Sequence, residues 1–423
     1  MYYVWQHRLW GGASLVTNDG RRVRVIDPGR LNTDSGPDFF NAKIDIGGSM
    51  WVGNVEMHVR ASDWKRHQHD TDRAYDSVIL HVVQKDDAPV FRSDGEPIPQ
   101  IELPVSPQLA DRINRLLTAR QDIACLPELR SLPSIAVTDW IQSLALERLQ
   151  AKAEHLLELA DAFAGNWEEV CYVSLARSLG FGINNDALER LARRTPLRLL
   201  QKHGDSLLQL EALLLGQAGL LDNVDNDPYA AQLKSEYAFL ANKFSLSAME
   251  TEAWRLFRIR PQSFPFRRVA LLAQYVHGGF KLFTQIIDAD GEDALRDLFR
   301  DELTGYWANH YSFGRPAASV SAPALSEASI DILLINTVVP LLYARGLATG
   351  DFDLTERAID LLEQLRPERN AVVSGFTMAG IPCRNALDSQ ALIQLKRNYC
   401  EPRKCIFCRF GHRLLATTCA TAT

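Results

Sequence analysis

The sequence predicts an α+β chain: an N-terminal mixed β-sheet domain with one short helix, followed by a large all-α domain. Residues 1–105 alternate apolar and polar side chains with period two, between turns rich in Gly, Pro, Asn and Asp. Beyond about Pro107 the apolar spacing becomes three and four, the period of amphipathic helices. The length, 423 residues, exceeds what one hydrophobic core usually holds, so more than one domain is expected.

The strand elements follow in order. "SLVT" and "RVRVID" flank the turn "NDGRR" and read as a hairpin. "PGRLNTDSGPD" is a loop. "FFNAKIDI" places Phe40, Ala42, Ile44 and Ile46 opposite Asn41, Lys43 and Asp45, the mark of a half-buried strand. "GGS" turns the chain, and "MWVGNVEMHV" returns as its partner. "SVILHVVQ" is nearly continuous in apolar residues, so it is expected as a central strand buried on both faces. "PVFRSDGEPIPQIEL" suggests a last hairpin around Asp94-Gly95, and Ser62 or Asp63 can cap a short helix within "ASDWKRHQHDTDRAYD". Helical segments then run from "QLADRINRLLTAR" to "DSQALIQLKRNYC", with no fixed repeat period. The expected division is 1–107 sheet domain, 108–380 helical domain, and 381–423 a C-terminal helix with a cysteine cluster packed on the helical domain.

Composition excludes several classes. Hydrophobic content of 46 % and charged content of 23 % are ordinary globular values. "MYYVWQHRLW" lacks the basic and apolar regions of a signal peptide. The longest apolar run, "IDILLINTVVPLLYA", is broken by Asp331, Asn336 and Pro340, so no membrane span is expected. Seven cysteines, an odd number with one tight cluster, do not resemble a secreted disulfide framework. These features predict a cytoplasmic protein. The net charge of −6 argues against indiscriminate nucleic-acid binding, but residues 366–413 hold a local excess of basic groups suited to a polyanion.

The chemistry-bearing residues cluster in the sheet domain. Asp38 enters one strand, and Glu56 and His58, two apart on the next, share a face. Paired strands bring Asp38 alongside Glu56, and such a set can hold Mg²⁺ or Mn²⁺. His81, inside the buried strand, needs a hydrogen-bond partner: it is either a satisfied core residue or a support for Glu56 and His58. His67, His69, Asp70 and Asp72, with Asp63 upstream, form a second cluster, read either as metal or phosphate contacts or as a polar capping network; in a helix His67 and His69 would diverge.

Pro37-Asp38 followed by Glu56-Met57-His58 resembles the PD-(D/E)xK nuclease pattern, and the order of strands, helix and buried strand is similar to that restriction-endonuclease-like fold. The resemblance covers about residues 20–100. It implies Asp38 and Glu56 as metal ligands and His58 in the place of the usual lysine, a departure that places activity in question because imidazole is not a permanent cation.

"YCEPRKCIFCRFGH" holds Cys400, Cys405 and Cys408 at C-x4-C-x2-C spacing, a knuckle for zinc or an iron–sulfur cluster, with Cys383 and His412 as candidates for the fourth ligand. Buried reduced cysteines at a helix end are the alternative. "WRLFRIRPQSFPFRR" sets Arg258, Arg260, Arg267 and Arg268 among aromatics, and Arg403 and Lys404 lie in the basic tail. These six are the candidate contacts to DNA or RNA, against a role in bracing helix ends.

Over nearly the whole chain, "GPDFFNAKI", "GNVEMHVRASDWKRHQHD", "YDSVILHVV", "EALLLGQAGLL", "FRIRPQSFPFRR", "YWANHYSFG" and "DSQALIQLKRNYCEPRKCIFC" resemble an uncharacterised bacterial family, the domain of unknown function 2851. That resemblance implies no activity. The expectation is a divalent-metal-dependent hydrolase acting on nucleic acid, or an inactive relative; the alternative is a non-catalytic helical scaffold binding nucleic acid or protein.

Overall fold

The computed structural model describes residues 1–11, 13–222, 224, 227–250, 253–259, 263–316 and 325–420. It has the expected α+β composition, an N-terminal mixed sheet and then a large helical region. The strands are β1 (Leu15–Val16), β2 (Arg22–Asp27), β3 (Arg30–Leu31), β4 (Phe39–Ile46), β5 (Ser49–Arg60), β6 (Val78–Lys85) and β7 (Gln100–Glu102). Their order is β1-β2-β4-β5-β6-β7, with β3 also paired to β4. Pairing is antiparallel from β1 to β5 and parallel from β5 to β7. The tight "GGS" turn allows the antiparallel β4–β5 ribbon, whereas the parallel β5–β6 step needs the crossover that contains α2 (Asp63–Arg66).

β6 lies between β5 and β7, and its first six residues are buried, as its apolar run requires. One face of the sheet buries Phe39, Val55, Met57, Leu80, Val82 and Ile101 in a single core. α1 (Tyr2–Gln6) supplies Tyr3, Val4 and Trp5 to that core, and α3 (Pro107–Thr118) supplies Leu109 and Leu116. The other face packs Val78 against Trp64 of α2, with Val90 and Ile98. The last expected hairpin shrinks to one bridge, Phe91 to Pro97, because two prolines interrupt the ladder before β7.

The chain divides into two compact units, and not where the sequence suggested. Unit 1 comprises Met1–Trp140, Ala379–Ile381 and Leu395–Thr423; unit 2 comprises Ile141–Met378 and Pro382–Gln394. The boundary falls inside α4 (Ser134–Ala162), a continuous helix with no break to read. The C-terminal segment is therefore corrected from the helical domain to the sheet unit. The reason is apolar packing: Cys405 and Leu415 are buried in the same core as Leu116 and Val55.

Among its described residues, the regular structure of unit 2 is helical apart from a two-stranded hairpin. Its helix Leu207–Gln217, from "EALLLGQ", is core, as its composition implies. Glu211 within it accepts hydrogen bonds from the Tyr229 hydroxyl at 2.7 Å and Trp307 Nε1 at 2.8 Å. Among the described residues, Glu327–Thr349 is one helical run long and apolar enough to cross a membrane; 61 % of its most apolar window is buried inside the protein.

Candidate metal centre

The register builds the site. Glu56 pairs with His81, and His81 with Gln100, so three polar side chains form a row across β5, β6 and β7. His58 lies two residues beyond Glu56 on the same face. All four are buried: Glu56 is 5 % exposed, His58 8 %, and His81 and Gln100 0 %. Buried polar groups need partners, and here they satisfy one another. Gln100 Nε2 donates to Asp86 Oδ1 at 2.7 Å and to the Ala88 carbonyl at 3.1 Å, which orients its amide. Its Oε1 then accepts from His81 Nδ1 at 3.3 Å. His81 Nε2 must therefore accept, and His58 Nδ1 donates to it at 2.8 Å. With its proton on Nδ1, His58 keeps a lone pair on Nε2; the tautomer is assigned from this network.

His67 and His69 converge on that nitrogen, contrary to the divergence a helix would impose. α2 ends in a Schellman turn: Gln68 N donates to the Lys65 carbonyl at 3.0 Å and His69 N to the Trp64 carbonyl at 3.1 Å. The residue at the left-handed position is Gln68, with φ 64°. A glutamine there costs about 1 kcal/mol or more, since its Cβ crowds the following carbonyl. The reversal carries both flanking imidazoles back over the sheet. His58 Nε2 lies 3.1 Å from His67 Nδ1, and ligand atoms of His58, His67 and His69 all lie within 4.8 Å of one another. Glu56 Oε1 is 3.7 Å from His58 Nε2 and 3.6 Å from His69 Nε2. Donors about 2.1 Å from one cation in a tetrahedron stand about 3.4 Å apart, so the three imidazoles fit a single ion, with the Glu56 carboxylate beside two of them. Trp64 closes the site with its ring against His58, His69 and His81, and Tyr75 stacks on His69 at 3.7 Å.

Asp38 sits beside this set. Its backbone N–H donates to Glu56 Oε2 at 3.0 Å, and its Oδ2 accepts from Met57 N at 2.9 Å. Its Oδ1 accepts from the Tyr2 hydroxyl at 3.0 Å. β4 and β5 thus exchange side chain for backbone at the strand entry, where a bulge between Phe39 and Ala42 breaks the ladder. The expected residues Glu56, His58 and His81 are together, with Asp38 held against Glu56. His67 and His69 complete the cluster, and their spacing alone did not mark them.

Burial sets the protonation states. Glu56 is pushed up to about 8, first by desolvation and then by the Asp38 charge. Asp38 is raised, chiefly by burial. His58 is pushed down to about 3 by burial and by the neighbouring His81, His69 and His67, and His81 to about 4 by burial. His69 is lowered for the same first reason, with His67 adding to it. Near neutrality His58, His69 and His81 are uncharged, the state in which imidazole binds metal.

Other expected residues lie elsewhere. Cys383 lies in unit 2, where burial raises its thiol and its Sγ is 3.9 Å from the Asn385 carbonyl oxygen. His412 hydrogen-bonds the Tyr3 hydroxyl through Nδ1 at 3.0 Å. Arg267 and Arg268 are corrected as phosphate contacts. They are 4 % and 7 % exposed, with their guanidinium groups over the rings of Tyr311 and Phe181, so unit 2 uses them as packing. Arg403 donates to the carbonyls of Ala119 at 2.7 Å and Gln121 at 2.6 Å. Arg258 and Lys404 are exposed, and Arg260 lies outside the described residues.

Fold and site together define a mixed-sheet unit that carries a buried imidazole and carboxylate centre. The family model "Protein of unknown function (DUF2851)" matches residues 1–371, and the chain belongs to that family. No curated protein and no solved structure matches it.

Proposed function

We propose that the sheet unit is a divalent-metal-dependent hydrolase, with phosphodiesters of nucleic acid as the substrate class implied by the Pro37-Asp38 and Glu56-Met57-His58 pattern. The observation that supports it is the convergence of three imidazoles at single-ion spacing, with the Glu56 carboxylate close to two of them. His58, His67 and His69 would hold the ion. An imidazole-rich set suits zinc, iron or another borderline transition ion, with Mn²⁺ preferred to Mg²⁺ among the harder ions. Such an ion would polarise a phosphoryl oxygen and acidify water.

The chain's own groups supply the rest. Glu56, protonated near neutrality and close to two imidazole nitrogens, can hold or release a proton at Oε1. Asp38, fixed by Tyr2 and Met57, raises the proton affinity of Glu56. Trp64 and Tyr75 keep the inner side dry, and exposed His67 marks the side open to solvent. The test is calorimetric titration with Zn²⁺ and Mn²⁺, followed by phosphodiester cleavage assays of the loaded protein. Metal binding and cleavage that both disappear in His58→Ala and His69→Ala are expected. A wild-type protein that binds neither ion overturns the proposal. Metal-independent, salt-sensitive nucleic-acid binding without cleavage would favour the scaffold alternative instead.

A further inference from the structure

The cysteines form a second constellation, to which the structure adds a residue the sequence did not point to. Cys400, Cys405 and Cys408 are buried, and all six described cysteines are free thiols. Cys125, just before the 3₁₀ turn Leu126–Ser131, packs against the core that contains Cys405. Two cations tie the C-terminal segment to the chain around Cys125. Arg403 binds the Ala119 and Gln121 carbonyls, and Lys396 Nζ reaches the Asp122 carbonyl at 3.3 Å. Backbone turns gather the other three cysteines: Arg403 N donates to the Cys400 carbonyl at 3.2 Å and Cys408 N to the Cys405 carbonyl at 3.3 Å, and beyond burial the Cys125 and Cys400 thiols are raised by the other cysteines of the set.

Burial raises all four thiols, and donors around Cys408 oppose that rise. The backbone N–H groups of Gly411 and Phe410, and then the indole of Trp140, lower the Cys408 thiol against the larger effect of its burial. That indole is buried, and its Nε1 makes no hydrogen bond among the described residues. A Cβ at Gly411 would overlap the Cys405 carbonyl oxygen, so the knuckle requires glycine there. Donors aimed at sulfur are the usual outer support of thiolate-bound metal.

Spacing selects the class of metal. Four thiolates on one Zn²⁺, with Zn–S about 2.3 Å, stand about 3.8 Å apart. Among the described residues the histidine trio meets a 4.8 Å limit, and no three of these cysteines form such a group. A cluster of several irons holds its cysteines on a wider frame, and C-x4-C-x2-C with one further cysteine is a spacing such clusters use.

We propose that Cys125, Cys400, Cys405 and Cys408 ligate an iron–sulfur cluster that fastens the C-terminal segment to the chain around Cys125 within unit 1. The experiment is iron, zinc and acid-labile sulfide analysis of the full-length protein purified without oxygen, with visible absorption and electron paramagnetic resonance. About two or four irons with matching sulfide are expected, and the number distinguishes the two cluster types. Cys125→Ser is expected to lose at least most of the iron, and Cys383→Ser to keep it. About one zinc per chain without sulfide, or no metal after anaerobic reconstitution, overturns the proposal. So does full iron content in Cys125→Ser. If Cys125→Ser does not fold, the wild-type iron and sulfide counts still decide it.

Discussion

Metal binding at the histidine centre is expected to release a proton from Glu56, in an amount fixed by its environment. With its pKa near 8, Glu56 is roughly nine-tenths protonated at pH 7 and roughly one-tenth at pH 9. His58 is already neutral at both pH values, and His69 is displaced in the same direction, so neither adds appreciably to the count. Zn²⁺ titrated in buffers of different ionisation enthalpy should therefore release about 0.9 proton at pH 7 and about 0.1 at pH 9. Removing that proton at pH 7 costs about 1.4 kcal/mol, one pKa unit. Apparent affinity should accordingly rise about tenfold from pH 6 to 7 and flatten above pH 8. Glu56→Gln keeps an oxygen but has no proton to lose, so its release should fall nearly to zero and its pH slope should vanish. A wild-type count near zero at pH 7, or an unchanged count in Glu56→Gln, refutes the coupling of the Glu56 proton to metal binding.

Other consequences are measurable separately. Depressed pKa values at His58 and His81 mean that the unfolded chain takes up protons first. Their contribution to metal-free stability should therefore be full above about pH 6.5 and fall as pH drops from there toward 3, while Glu56, raised to about 8, works the other way and costs stability as pH rises from 4.5 to about 8; urea unfolding of wild type and Glu56→Gln at a series of pH values separates the two. Gln68→Gly should relieve the left-handed strain and raise stability by about 1 kcal/mol, read from the denaturation midpoint; lower stability would show that Gln68 makes a compensating contact. Gly411→Ala should destabilise by several kcal/mol, because a Cβ there must displace the Cys405 backbone; a melting temperature equal to wild type would contradict that overlap. Arg268→Met should leave any nucleic-acid affinity unchanged, since the guanidinium is covered, whereas a lower salt slope of binding would put it on the surface.

How much of this was legible in the sequence depends on distance along the chain. "FFNAKIDI" became β4 over the same residues, because alternation on one strand is a local property. Glu56 and His58 were legible for the same reason, as neighbours two apart on one strand. His67 and His69 were marked only as a separate cluster; that they join His58 was not legible, because their convergence depends on a non-glycine residue taking a left-handed conformation, and nothing in "HQH" announces it. Cys125 was missed because no local spacing links it to Cys400; only the packing of the C-terminal segment into the sheet core brings them together. The arginines at 267 and 268 misled for the opposite reason: a basic run beside aromatics looks the same whether it faces solvent or rings.

The polar row from His58 through His81 and Gln100 ends at Asp86, a partly exposed residue at the end of β6. Whichever groups hold the Gln100 amide thereby decide which nitrogen of His58 keeps its lone pair. A substitution at Asp86, three side chains removed from the ion, can thus retune the donor strength of His58 without altering any ligand. Relatives that differ in metal preference could differ only there, with the ligating residues unchanged.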